Sequence, residues 1–514
     1  MHVFETILAL LIGATVVSSF AKRIDVPYPT LLALGGAVVA LVPGAPRLEL
    51  PPELILALFV APVLMDAAYD ASLRDLRGNW IGLASLVVVA VGLTTLAAAC
   101  TARLLVPEMP WAAAVALGAL LAPPDAVAAL AVLRQVDPPY RLRTVLEGES
   151  LLNDASALLV YRLAVGAVAA GGFSVAEAIP TFAVVVVGSV VVGWLAAWPA
   201  GLVINRLEDA PTTVIFQFGI TFGVWLLAER LGLSGVVTIV VFGLTVAHRA
   251  GATLQARLRV PSFAIWESAT VVLNVLAFTL IGLQLGPILD SSSGAERLRL
   301  LGAAFAILAV VVAVRLVWVF THYAIATWVD RRRGPPDARA QASSPTAKGA
   351  LLVGWSGMRG IVTLAAALAL PAGFPQRDFI LLTAFVVVLG TLVIQGLTLR
   401  PLLGVLRLPK DATVTTELGA AREAALKAAL RELARDESPA AKRLELEYGE
   451  ALRRARDGGD PRDTPDNALR QRVVAVARST IDDLRSSGAI GDEAYRRVEE
   501  ELDWLELSAR GRPE

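Results

Sequence analysis

Nothing constrains this chain more than its succession of apolar runs. A bilayer core about 30 Å thick needs roughly 20 apolar residues to cross it as a helix. Runs close to that length occupy residues 3–21, 28–43, 53–70, 80–105, 111–133, 149–170, 177–204, 212–230, 233–248, 265–287, 299–328, 349–371 and 379–404, about thirteen in all. Lipid offers backbone groups no hydrogen-bond partner, so segments of this length must be helices. Only 18% of the 514 residues are charged, against about 25% in soluble domains. From about Lys410 the composition turns to Arg, Glu, Asp and Ala. The sequence therefore predicts an all-α membrane domain over 1–405 and a cytoplasmic helical tail over 406–514.

Several functions are excluded early. Formal charge balances at zero, so no basic surface argues for nucleic acid. No GxxxxGK[ST] loop is present, so no ATP site is expected. The three histidines (His2, His248, His322) make no zinc pattern, and Cys100 has no second cysteine to pair with. No enzymatic motif or cofactor site is read, in the tail or elsewhere. The start Met1–Glu5 lacks a basic leader, so the first run is expected to be a membrane helix. Lys and Arg concentrate in the odd-numbered loops. That bias puts those loops and the tail in the cytoplasm and the N-terminus outside. The long Arg- and Pro-rich loop 330–348 is expected to be flexible. In the tail, helical patterns run over Thr416–Ala434, Asp466–Leu484 and Asp492–Leu507, with breaks at Asp457–Pro461 and Ser486–Gly488.

Ionisable groups at membrane depth are costly and therefore informative. They are Asp66, Asp125, Glu149, Asp154, Arg162, Glu267, Arg315 and Arg359. In the fifth run, Pro123-Pro124-Asp125 sits mid-span. Neither proline has an N–H, so carbonyls near Ala119 and Leu120 lose their helical donors. Unwound backbone beside a carboxylate suits a cation, although Asp125 capping a simple kink is the plainer alternative. The sixth run opens Glu149-Ser150-Leu-Leu-Asn153-Asp154. Ser150 and Asp154, four apart, share one face, and Glu149 and Asn153 share the next. Two carboxylates, an amide and a hydroxyl suit a hard cation. In the twelfth run, Gly354-Trp-Ser-Gly357-Met-Arg359-Gly360 brings glycines that permit unwinding, and an arginine that must find a partner. Runs five and twelve are seven apart, so they cross in opposite directions, as matching breaks in inverted repeats do. Asp66 lies near the cytoplasmic end of its run, where solvation and a role in the cation path weigh equally. Glu267 reads as a helix-start residue. Arg162 and Arg315 read as structurally paired or snorkelling.

The motifs Ala122-Pro-Pro124-Asp125-Ala-Val, Gly148-Glu149-Ser150-Leu-Leu-Asn153-Asp154 and Gly357-Met-Arg359-Gly360 resemble those of the sodium/proton antiporters, in the branch with an Asn-Asp pair. The resemblance covers most of residues 1–405. It implies thirteen helices, with the fifth and twelfth interrupted and crossing, a homodimer, and alternating access by a mobile core. Matched by motif, it implies that Asp154 binds cation and proton, that Asn153 orients Asp125, and that Glu149 pairs with Arg359. Ser150 is implied as a further ligand, and Asp66 as an acidic residue common in members. Many members carry Thr-Asp-Pro where this chain has Pro124-Asp125-Ala126, so one hydroxyl is missing here.

One carboxylate that takes either ion, but not both, is enough for coupled exchange. Burial resists ionisation, so a proton or a monovalent cation (Na+, K+ or Li+) must neutralise Asp154 before it crosses. With Asn153 uncharged and Glu149 offset by Arg359, one proton per cation is expected, hence electroneutral exchange across the inner membrane for pH and sodium homeostasis. A passive channel would show a pore filter repeated by symmetry, and a receptor would show an output motif. Neither is seen.

Overall fold

The computed structural model describes residues 2–24, 26–42, 51–133, 139–171, 175–250, 255–290, 294–333, 346–408 and 413–509. It divides into two compact units, Met1–Lys410 and Asp411–Glu514. Among the described residues every regular element is a helix and no strand occurs. Residues 334–345 of the loop predicted to be flexible lie outside the described residues.

Each apolar run of the first unit carries helix, whole or interrupted. Among the described residues seven helices are long and apolar enough to cross a membrane, including Tyr140–Ala169, Gly294–Val329 and Arg377–Leu406. Shorter apolar helices include Tyr28–Ala40, Trp111–Leu121 and Gly235–Arg249. The sixth-run helix starts at Tyr140 rather than 149, and the tenth-run helix at Ala256 rather than 265. Both extra stretches are polar or mixed, so a reading by hydropathy stops short of them.

Two runs hold a wider turn that hydropathy does not register. Leu56–Val60 and Ser85–Ala90 are π-helical inside otherwise α-helical stretches. Such a turn carries an extra residue and exposes backbone to side-chain partners. In the second, Ser156 donates to the Val87 carbonyl at 3.0 Å, and Trp318 Nε1 donates to Ser85 Oγ at 3.1 Å.

The largest buried cluster joins Ala113–Leu121, the Gly294–Arg333 helix and the Phe379–Val388 face of the last membrane helix. Small residues allow backbones to meet, as expected where lipid supplies no hydrophobic drive between helices. At the crossing of Tyr28–Ala40 and Ala256–Leu283, a Cβ on Gly36 or Gly282 would run into the opposing backbone.

Among the described residues the second unit has four helices: Thr413–Leu433, Pro439–Arg456, Pro465–Ser486 and Asp492–Ala509. Ser438 and Thr464 cap the second and third through their hydroxyls. Val474, Ile481, Tyr495 and Leu502 form a small core between the last two.

Candidate functional site

The two breaks predicted in the fifth and twelfth runs are present and meet. The first separates Trp111–Leu121 from Ala126–Leu133, and the second separates Ala347–Trp355 from Ile361–Leu368. At the meeting point the Asp125 backbone N–H donates to the Met358 carbonyl at 2.7 Å. Asp125 Oδ1 accepts from the Val127 N–H at 2.8 Å, so the carboxylate also caps the half-helix that follows. The cap reading and the site reading are therefore both part of the geometry. Gly360 leaves the space Asp125 occupies: a Cβ there would coincide with its carboxylate.

Arg359 closes the proline break. Its Nε donates to the Leu121 carbonyl at 2.9 Å and its Nη2 to Ala122 at 3.4 Å, while Nη1 reaches Gly357. Its own N–H is held by Thr391 Oγ1 at 3.0 Å. The carbonyl bonded here lies slightly further along than expected. The Ala122 N–H takes up the Ala119 carbonyl at 3.4 Å, and the Asp125 N–H, the helical donor to Leu121, is bonded to Met358 instead.

The ion pair expected between Glu149 and Arg359 is made with a different arginine. Arg315 grips Glu149 with two bonds, Nη1–Oε1 at 2.5 Å and Nη2–Oε2 at 2.9 Å. Nη2 also donates to the Val353 carbonyl at 3.0 Å. Glu149 is 0% and Arg315 2% exposed. The physical reason is competition: the Arg359 fork is spent on the carbonyls of the broken helices, and Arg315 projects from the neighbouring Gly294–Arg333 helix. Asn153 likewise departs from expectation. Its Nδ2 donates to Glu149 Oε1 at 3.2 Å, and its buried Oδ1 has no hydrogen-bond partner.

Asp154 is buried on the Tyr140–Ala169 helix, which packs against the half-helix Ala126–Leu133 that Asp125 caps. Among the described residues no cationic side chain pairs with it. Ser150 lies half-buried one turn before it. Pro124 is buried in the break itself. Asp66 sits apart. It lines a cleft with Tyr69, Gln217, Arg259, Ser262 and Trp266, and neither Asp125 nor Asp154 reaches that cleft. Glu267 is mid-helix and exposed rather than at a helix start, and Arg162 pairs with Glu229 at 2.5 Å. The described residues contain no cluster of three His, Cys, Asp or Glu that would hold a metal ion.

Among the described residues the arrangement is one carboxylate neutralised by an arginine (Glu149), one with no cationic side chain paired to it (Asp154), and a further one (Asp125) held on unwound backbone. The family profile described as sodium/hydrogen exchanger, transmembrane, matches residues 7–405. A Mycobacterium tuberculosis protein named as an uncharacterised Na+/H+ exchanger is 31% identical over 98% of this chain and 95% of its own length. A sodium, potassium, lithium and rubidium/H+ antiporter of Bacillus pumilus is 30% identical over 80% of this chain and 62% of its own. The structure of a sodium proton antiporter from Methanocaldococcus jannaschii superposes with a TM-score of 0.60, at 16% identity, over 78% of this chain and 98% of that one. At that identity the likeness speaks for the fold.

Proposed function

Because this chain belongs to the sodium/hydrogen exchanger family, a family of multi-pass cation/proton antiporters, we propose that Asp154 is the group at which cation and proton compete. The observation that carries this is the contrast between two carboxylates on one helix. Glu149 is neutralised by Arg315, whereas Asp154 is buried with no cationic partner among the described residues, on a helix that packs against the half-helix capped by Asp125. An uncompensated buried charge is costly, so Asp154 is stable when it holds either a proton or a dehydrated cation. Asp125 and Ser150 complete the ligand set. Pro124 holds the backbone open, Asn153 and Glu149 anchor the helix, and Arg359 supports the crossing.

Two ions contending for one site, with only the neutral forms moving, make exchange compulsory. With Glu149 permanently offset, each cycle carries one cation against one proton and is electroneutral. Sodium is the principal substrate, and potassium and lithium are alternatives. The breadth of the Bacillus relative's name supports that range. Asp66, in its own cleft, attracts cations toward the site from the cytoplasm. The protein works as a homodimer in the plasma membrane, with thirteen crossings, the N-terminus outside and the tail inside, in the service of pH and sodium homeostasis. It needs no cofactor and catalyses no covalent chemistry.

The test is Asp154→Asn, purified and reconstituted. The amide takes up no proton, so sodium-driven proton flux is expected to vanish while the protein stays folded. Flux in the variant comparable to wild type would remove Asp154 from its role.

A further inference from the structure

Gln395 lies in the last membrane helix, Arg377–Leu406, and is 1% exposed. Neither Nε2 nor Oε1 of its amide has a hydrogen-bond partner. Unsatisfied buried amides are rare, and each calls for an explanation. An apolar residue of the same size would fit a lipid-embedded helix at less cost.

Its register supplies the explanation. Thr391, one turn before, accepts from the Arg359 N–H at 3.0 Å. Thr398, about one turn after, accepts from Trp355 Nε1 at 2.9 Å. Trp355 ends the helix before the unwound stretch Ser356–Gly360, and Arg359 lies within that stretch. The next residue, Gly396, abuts Met358: a Cβ there would lie 3.6 Å from Met358 Sδ. One face of this helix thus holds the chain at the start of the break and again within it, with Gln395 between the two bonds. Ser356, in the break, is also 1% exposed, and its hydroxyl also has no partner. The Met358 carbonyl, in turn, holds the Asp125 N–H.

We propose that Gln395 is a positioning residue for exchange: its amide, with the Ser356 hydroxyl, receives the unwound Ser356–Met358 backbone when the crossing rearranges to carry its ion. This rests on the function proposed above. An amide has a donor and an acceptor, so it satisfies either a carbonyl or an N–H that the rearrangement releases from another bond. Without it, that released group is left bare in a dry core. The crossing then still binds the cation but rearranges slowly. Gln395 therefore sets the rate of turnover rather than the affinity.

The experiment uses the full chain in proteoliposomes, comparing wild type, Gln395→Met and Gln395→Glu. Methionine keeps the length and removes both polar atoms. Gln395→Met is expected to be as thermally stable as wild type or more so, with apparent KM for sodium within about two-fold and maximal rate down roughly five-fold or more. Gln395→Glu is expected to approach the wild-type maximal rate measured at the same pH as pH falls, because a protonated carboxyl has the donor and acceptor of the amide. Wild-type maximal rate in Gln395→Met overturns the proposal. So does a variant that loses thermal stability along with rate, since the amide would then serve the resting fold. So does a raised KM at unchanged maximal rate. Wild type that exchanges no cation for protons would instead defeat the function proposed above, which keeps the two failures distinct.

Discussion

Replacing Glu149 or Arg315 separates the pair found here from the pair that the motifs imply. The two side chains are almost fully buried and joined by two bonds. Arg315→Gln leaves the Glu149 carboxylate with one neutral donor, Asn153 Nδ2 at 3.2 Å. Glu149→Gln leaves the Arg315 guanidinium with the Val353 carbonyl and a neutral amide. Breaking such a buried pair costs about 3–5 kcal/mol, which is roughly two to four powers of ten in a folding equilibrium. With both replaced by glutamine, no buried charge is orphaned. Two amides of similar volume restore part of the bonding, and the coupling energy should reach about 2 kcal/mol. The assay is the surviving monodisperse fraction after heating in detergent, read by size-exclusion chromatography. Each single variant is expected to melt well below wild type and the double variant to recover a large part of the loss. The reasoning is refuted if the double variant is no more stable than the worse single. It is equally refuted if Glu149→Gln with Arg359→Gln recovers as much, since Arg359 would then be the partner.

Other consequences follow from the same geometry. Gly360→Ala places a methyl group on the Asp125 carboxylate and should cut transport at least about ten-fold, close to the loss from Asp125→Asn; unchanged flux would show that the crossing yields. Arg359→Ala orphans the carbonyls of Leu121 and Ala122 at about 1–3 kcal/mol each. It should lower expression and melting temperature more than it alters sodium affinity, and Arg359→Lys should rescue little because one ammonium does not match the fork. Exchange should be bell-shaped in pH, since protons displace the cation at Asp154 on the acid side and become scarce on the alkaline side. Raising sodium should move the acid limb to lower pH, and a limb that stays fixed would rule out competition for one carboxylate.

The breaks that build the site were legible because proline and glycine act through backbone chemistry that needs no tertiary context. Pro123-Pro124 cannot donate, and Gly357 and Gly360 permit unwinding. The identity of the Glu149 partner was not legible. Arg315 and Arg359 are both arginines within apolar runs, and spacing along the chain does not say which is consumed by carbonyls and which by a carboxylate. The π-helical turns at Leu56–Val60 and Ser85–Ala90 leave no mark in composition; the second meets Ser156 and Trp318, which lie on other helices far along the chain. The tail helix Pro439–Arg456 escaped notice because its charge is dense and only Ala441, Leu452 and Ala455 are buried. A signal for Gln395 was present: a lone amide in the apolar stretch Thr391-Leu-Val-Ile-Gln395, of the kind that buried polar groups make informative.

The most direct test of the central claim is sodium-driven proton movement in potassium-free proteoliposomes containing the purified full chain, with membrane potential set by a gradient of a permeant anion such as thiocyanate. If Asp154 alone carries each ion in turn, and Glu149 is offset by Arg315, an outward sodium gradient should acidify the lumen and an inward one should alkalinise it. It should come to rest when the sodium and proton ratios are equal, at any imposed voltage. A resting point that shifts with voltage at zero pH difference would show net charge movement, and would contradict one-for-one exchange at a single carboxylate.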